Sequence, residues 1–178
     1  MQKGMVISMK IVAQLFGVGA MMFLFLINQQ KERKKLIICK MMTDICWVGH
    51  YFGLSAVGGM IPNFVGIFRE TVFMNRETKK WAAMPFWPII FMCINWALGF
   101  MTFSAPVNII PIVASTLVTV SLWLKKTWHI KLLLCSASLL FLIYDLFVDS
   151  WIGVLSESIS ILSIIIYFIK TRSVKNEE

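Results

Sequence analysis

Asn28-Gln29-Gln30-Lys31-Glu32-Arg33-Lys34-Lys35 separates two apolar segments, 7–28 and 36–53, and its reading decides the fold. The core of the preceding segment, Ile11 to Ile27, approaches the ~20 residues that cross a bilayer as a helix. A short cluster of basic residues between two such runs reads as a cytoplasmic loop between membrane spans. The first run, preceded by Lys3 and Lys10, resembles a signal peptide. It ends in Ile27-Asn28-Gln29-Gln30 without a small-residue cleavage site, so it is read as a retained first helix.

Working outward, the pattern repeats. Seven apolar segments follow one another, at 7–28, 36–53, 56–74, 84–102, 105–124, 131–148 and 151–169. The second is the least apolar, because it holds Lys40, Asp44 and His50. The connections alternate in charge. Lys31 to Lys35, Arg76-Glu77-Thr78-Lys79-Lys80, and Lys125-Lys126 through Lys131 are basic. Those near Ser55, between Thr102 and Ala105, and around Asp149 hold no basic residue. With Lys170, Arg172 and Lys175 in the tail, thirteen of the 17 basic residues fall on one side. Lys3 and Lys10 fall on the other, and Lys40 and Arg69 lie within spans. The positive-inside rule therefore predicts an outside N-terminus and a cytoplasmic C-terminus. Trp81, Trp87, Trp123, Trp128 and Trp151 lie near span ends, where interfacial anchors belong.

The 178 residues are 58% hydrophobic and 15% charged, with a mean hydropathy of +0.78. That is too little charge to clothe a soluble core, since ordinary domains carry ~25%. A cytosolic enzyme, a disordered chain and a secreted disulfide scaffold are excluded. Continuous apolar runs also argue against a β-barrel, whose strands alternate. The net charge of +8 does not mark a nucleic-acid face, because it is confined to loops. Cys39, Cys46, Cys93 and Cys135 form no C-x-x-C and read as small buried hydrophobes. No cofactor or metal site is expected. There is no H-E-x-x-H, G-x-S-x-G or Walker A motif either, so the chain is read as non-enzymatic. His129, in a basic loop, reads as solvated.

Sliding the chain on itself by 95 residues brings Ser55 onto Ser150, Gly58 onto Gly153, His50 onto Asp145 and Asn63 onto Ser158. The topology agrees: spans one to three pair with five to seven in the same orientation, and span four crosses back between them. The fold expected is all-α, with seven transmembrane helices in a 3+1+3 arrangement of parallel repeats. One membrane domain would comprise a first repeat (7–74), a linker helix (84–102), a second repeat (105–169) and a cytoplasmic tail (170–178).

Several stretches resemble the YgjV-like family of small bacterial inner-membrane proteins. They are Ala13-Gln14 with Gly17-Val18, Lys31 to Lys35, and Trp47-Val48-Gly49-His50-Tyr51-Phe52. The second half adds Ile109-Ile110-Pro111-Ile112-Val113 and Ile152-Gly153 leading to Glu157-Ser158. Around Pro62-Asn63 to Arg69 the Asn–Arg spacing departs from the family's. The resemblance implies the bacterial inner membrane and a fold similar to SWEET, SemiSWEET and PQ-loop proteins. It names no substrate.

Ionisable groups inside spans are costly and are candidates for function. Lys40 and Asp44, four apart, share a helix face. They read as a local ion pair with Lys40 snorkelling, or as placing Asp44 on a cavity. Arg69 either pairs with Asp44 or Glu70 for structure, or forms a gate. His50 and Asp145 read as water-exposed interfacial residues, or as an outer gate. Asn63 and Ser158 read as helix-packing glue or as ligands of a solute. Glu157 has no basic residue within a turn, so it is protonated or faces a wet cavity. Asn95 and Trp96 in span four read as packing residues.

The function expected is a small-solute transporter or facilitator, with two three-helix bundles rocking about Asn63, Ser158 and Glu157. His50, Asp145, Asp44 and Arg69 would serve as gating or coupling residues. Its partners would be the lipid bilayer and a small polar solute, with no nucleic acid. The oligomeric state is left open. The alternative is a non-transporting sensor, sorting or assembly factor.

Overall fold

The protein is described by a computed structural model over residues 2–29, 33–124 and 127–175. Lys31, Glu32, Lys125 and Lys126 of the basic connections, and the last three residues of the tail, lie outside the described residues. Seven helices follow one another: α1 (Gln2–Gln29), α2 (Arg33–Gly53), α3 (Val57–Met74), α4 (Trp87–Met101), α5 (Ile109–Trp123), α6 (Thr127–Phe147) and α7 (Trp151–Lys175). Short 3-10 turns, Lys80–Ala83 and Pro106–Asn108, lead into α4 and α5. No strand occurs among the described residues. Each helix covers one of the seven apolar segments, and α7 runs on past residue 169 to Lys175.

The surface is inverted relative to that of a soluble protein. Leu15 is 67% exposed, Phe25 64% and Met101 81%, whereas Asp44, His50 and Glu70 are fully buried. Water would penalise such an exterior, but hydrocarbon does not. Pro106–Trp123 is the described helical run that is both 18 residues long and strongly apolar, with a mean hydropathy of 1.6. Ile11–Ile27, Trp87–Met101 and Trp151–Ile166 are apolar but shorter. α2 and α3 interrupt their apolar character with Lys40, Asp44, Arg69 and Glu70, and these turn inward.

Each helix packs mainly on its neighbours in sequence, so the connections alternate between two ends of the molecule. At one end Lys34, Lys35, Lys79 and Lys80 are exposed; this is the basic end. The opposite end, without basic connections, is the neutral end. Two further contacts close the structure, α1 against α7 and α3 against α5.

Element boundaries recur at a spacing of 94 residues. α2 starts at Arg33 and α6 at Thr127; they end at Gly53 and Phe147; α3 and α7 start at Val57 and Trp151. The turns agree in detail. Ser55 (φ 56°) and Asp149 (φ 54°) occupy the same left-handed position in each. The Ala56 amide donates to the Tyr51 carbonyl at 2.8 Å, and the Ser150 amide to the Asp145 carbonyl at 2.9 Å. The spacing of 95 read from the sequence is thus one residue too long. Tyr51 stands opposite Asp145, and Asn63 opposite Glu157. On a helix that one-residue slip turns a side chain by about 100°, onto a different face.

Pro62 lies inside α3, where its missing N–H frees a backbone carbonyl one turn earlier. Pro111 sits in the first turn of α5, where no such bond is required.

Candidate functional site

Near the neutral end, side chains of α2, α6 and the turn before α7 meet backbone groups of α1 and α3 in a buried polar plug. The Tyr51 hydroxyl donates to Asp145 Oδ1 at 2.6 Å. His50 Nδ1 donates to the Ala13 carbonyl at 2.8 Å, and Nε2 lies 2.8 Å from Ser150 Oγ. Ser150 also reaches the Asp145 carboxylate. His50 and Asp145 therefore do not touch but are joined through Ser150. The Tyr144 hydroxyl accepts the Gly59 amide at 2.8 Å. A Cβ on Gly59 would stand 2.7 Å from Tyr144 and 3.0 Å from Tyr51, so the close approach requires glycine. His50 and Asp145 are 0% and 1% exposed, which corrects the reading of both as water-exposed interfacial residues. Hydrogen bonds across helices remove the cost of burying them.

Below the plug, toward the basic end, lies a cavity of about 170 Å³. It has room for several waters or a small solute. α1, α2, α3, α5, α6 and α7 all contribute to its wall, and no residue of α4 does. The upper wall is aromatic: Trp47 and Tyr51 stack at 5.6 Å, and Phe141 stands with them on the cavity. Its polar groups are Lys40, Thr43, Asp44, Asn63, Arg69, Ser115, Ser138, Glu157 and Ser160, and Lys131 lies near the basic end. Leu24, Ile27, Leu122, Leu134 and Ile164 supply apolar wall.

Of the three residues expected to bind solute, two reach this cavity. Asn63 and Glu157 line it, and Ser158 does not. Ser158 instead donates to the Val154 carbonyl of its own helix at 2.7 Å, and Ser160 takes its place on the wall. The one-residue slip explains the error, since Glu157 and not Ser158 stands 94 residues from Asn63. Asn63 also bonds within its own helix, donating to the Gly59 carbonyl at 2.7 Å. Glu157 finds its hydrogen-bond partner in Ser138 of α6 and feels the charge of Lys40 on α2.

An ion cluster fills the wall between α2, α3 and α5. Lys40 pairs with Asp44, as four-residue spacing on a helix allows. It turns inward, which corrects the reading of Lys40 as snorkelling to the surface. Arg69 Nη2 stands 3.7 Å from Asp44 Oδ2 and 2.8 Å from Glu70 Oε1, bearing out the expected pairing. Arg69 also donates to Thr119 Oγ1 at 2.9 Å and to Ser115 Oγ at 3.4 Å, both on α5. Gly66 makes room for this, because a Cβ there would run into the Asp44 carboxylate.

Elsewhere polar groups serve packing. The Asn95 amide donates to the Ile112 carbonyl at 3.2 Å, and the Trp96 indole to Thr116 at 3.0 Å, both holding α4 on α5. Arg76 donates to the Trp123 carbonyl at 2.9 Å and lies 3.7 Å above its ring. Cys93 is exposed on the apolar surface and the other cysteines are half-buried, so none is the fully buried hydrophobe expected. Among the described residues no cluster of metal-ligating side chains occurs.

Tyr51, Tyr144, Ser150, Trp47 and Ser138 were missed by the sequence reading. Tyr51 and Asp145 carried a usable signal, since the correct spacing places them opposite each other. The others became visible only through contacts across helices.

No curated protein and no solved structure is significantly similar to the chain. A family model, Imp-YgjV, described as a bacterial inner membrane protein, matches residues 11–175. With an apolar exterior around buried ion pairs, and that match over nearly its whole length, the chain belongs to the Imp-YgjV family and is a multi-pass protein of the bacterial inner membrane.

Proposed function

We propose that the protein moves a small polar solute across the inner membrane by rocking of two three-helix bundles, α1–α3 and α5–α7. In this reading the bundles are parallel repeats joined by α4, a 3+1+3 arrangement of SWEET-like kind. The N-terminus is outside and the C-terminus cytoplasmic, because the exposed lysines gather at the basic end. The observation that carries the reading is the pairing of a closed end with a cavity whose mostly apolar wall carries polar side chains. The cavity is walled by all six bundle helices and by none of the linker. In this reading the Tyr51–Asp145 contact joins the two bundles and would close the outer side, as an inward-facing state requires. Asn63 and Glu157 occupy equivalent positions on the wall and would hold the solute. Asp44 and Arg69 lie on the path toward the cytoplasm. The chain performs no bond chemistry in this scheme.

Reconstitution into liposomes tests it. Flux of a sugar, nucleoside, amine or vitamin above empty liposomes, lost in Asp145→Asn or Glu157→Gln, is expected. Absence of flux for every class overturns it. One observation favours a non-transporting sensor or assembly role: Asp44, Arg69 and Glu70 pair with one another as a structural cluster would.

A further inference from the structure

The hydrogen bonds of the plug fix how many protons it holds. His50 Nδ1 faces the Ala13 carbonyl at 2.8 Å, and a carbonyl only accepts, so Nδ1 carries a hydrogen. Nε2 of the same ring lies 2.8 Å from Ser150 Oγ. Ser150 also reaches the Asp145 carboxylate. A Cβ on Gly153 would run into both that carboxylate and the Ser150 hydroxyl, so the two converge over the same piece of α7 backbone. The Tyr51 hydroxyl hydrogen is already directed to Asp145 Oδ1.

Ser150 therefore has one hydroxyl hydrogen for two neighbours. With His50 neutral and Asp145 ionised, Nε2 and the carboxylate are both acceptors, and one of the two contacts lacks a hydrogen. One added proton completes both. On His50, it lets Nε2–H donate to Ser150 while Ser150 donates to the carboxylate. On Asp145, it lets the carboxyl O–H donate to Ser150 while Ser150 donates to Nε2. The two arrangements interconvert when the carboxyl hydrogen passes to Oγ and the hydroxyl hydrogen passes to Nε2. The three groups together are neutral in both. Without the added proton they carry one negative charge and a contact left unmade. His50 and Ser150 are 0% exposed and Asp145 is 1% exposed, so that state is buried away from water. An unmade buried hydrogen bond and an unpaired charge within a span both disfavour it. The other titratable groups facing the plug do not change the count. Tyr144 is engaged with the Gly59 amide, and Glu157 of α7, a carboxylate, supplies no positive charge. α1 and α3 bring the Ala13 carbonyl and the Gly59 amide, and Asp149 in the adjoining turn is exposed.

Resting on the reading of the plug as an outer gate, we infer that the plug is a proton-binding site. One proton, shared by His50 and Asp145 through Ser150, locks the gate shut, and opening the gate to outside water releases it. The closed gate then binds one proton more than the open gate. It is favoured as pH falls, and the open-to-closed ratio rises by up to tenfold for each unit of rising pH.

The test follows the gate itself. The four native cysteines are replaced by alanine, and spin labels are placed on Phe52→Cys and Phe147→Cys, exposed positions at the neutral ends of α2 and α6. The distance between the labels is measured across the pH range by double electron–electron resonance, with the full-length protein in lipid nanodiscs. A short distance at acid pH, giving way to a longer one as pH rises, is expected. Asp145→Asn should hold the short distance at every pH, because its amide donates to Ser150 as the protonated carboxyl does and its oxygen still accepts from Tyr51. A residue that merely held the plug together would instead loosen it on that change. Thermal melts confirm that each variant is folded, and His129→Gln, which changes the exposed second histidine, should titrate as the parent does. A parent distance that does not vary with pH overturns the inference. So does a pH response that survives in Asp145→Asn and disappears in Glu157→Gln, which would put the proton on Glu157. Liposome flux then separates the two ideas. A gate that follows pH as expected, with no flux of any solute, sinks the transport reading and leaves the proton site. Flux through a protein whose label distance ignores pH sinks the proton site and leaves transport.

Discussion

The two contacts that close the helix ring are built from opposite materials. Where α3 meets α5, polar groups fasten the seam at three depths. Gly58 lies against the Asn108 side chain, Arg69 bonds Ser115 and Thr119, and Arg76 bonds and stacks on Trp123. Where α1 meets α7, Gly17 lies against Ile152 near the neutral end. Further down, Leu24, Ile27 and Ile164 face the cavity. The residues 94 positions on from Asp44, Arg69 and Glu70 are Ser138, Ser163 and Ile164, so the ion cluster has no counterpart on the other side. In hydrocarbon, apolar side chains gain little by leaving lipid for one another, whereas each hydrogen bond across helices adds about 0.6–2 kcal/mol. The comparison teaches that one ring of helices can have a polar seam and an apolar one. If the bundles rock as proposed, α1 would part from α7 while α3 and α5 stay together.

The sharpest way to break this comparison is Arg69→Ala. It leaves Asp44 and Glu70 buried without their cation and should cost about 3–5 kcal/mol, read as a large fall in the melting temperature of the detergent-purified protein. A fall no greater than that of a surface substitution would remove the claim that polar groups fasten the α3–α5 seam. Next in size is Gly17→Ala on the opposite seam. Its Cβ would stand 2.9 Å from both Ile152 and His50, and overpacking of that kind costs about 1–3 kcal/mol. Equal stability to the parent would mean that the α1–α7 contact is looser than described. The smallest effect belongs to Leu24→Ala. This half-buried residue already borders open space, so truncation should cost less than the ~2–5 kcal/mol of a fully packed leucine. A loss matching that of Arg69→Ala would show the two seams to be equally load-sharing.

Much of this was legible in the sequence, and the failures share a cause. The seven segments and the inward Asp44–Arg69 pair follow from composition and from the cost of charge in a span. Glu157 was singled out as protonated or facing a wet cavity, and it does line the cavity. The spacing was set at 95 on small-residue matches, which fix a register poorly, whereas the element boundaries recur at 94. Ser158 was included beside Glu157 in consequence, as the partner of Asn63, and His50 was set opposite Asp145 in place of Tyr51. The reading of His50 and Asp145 as water-exposed failed for another reason. Position near a span end suggests water, but Ala13, Ser150 and Tyr51 arrive from other helices to satisfy them.

The sequence by itself determined that the chain is a seven-helix membrane protein with its basic residues sorted to one end. Those properties are one-dimensional, because a span is a run of apolar residues and a loop charge stays where the chain puts it. Only the tertiary structure decided which polar residues meet. Each step along a helix turns the side chain by about 100°, and partners such as Tyr51 and Asp145 are brought together by packing between distant segments.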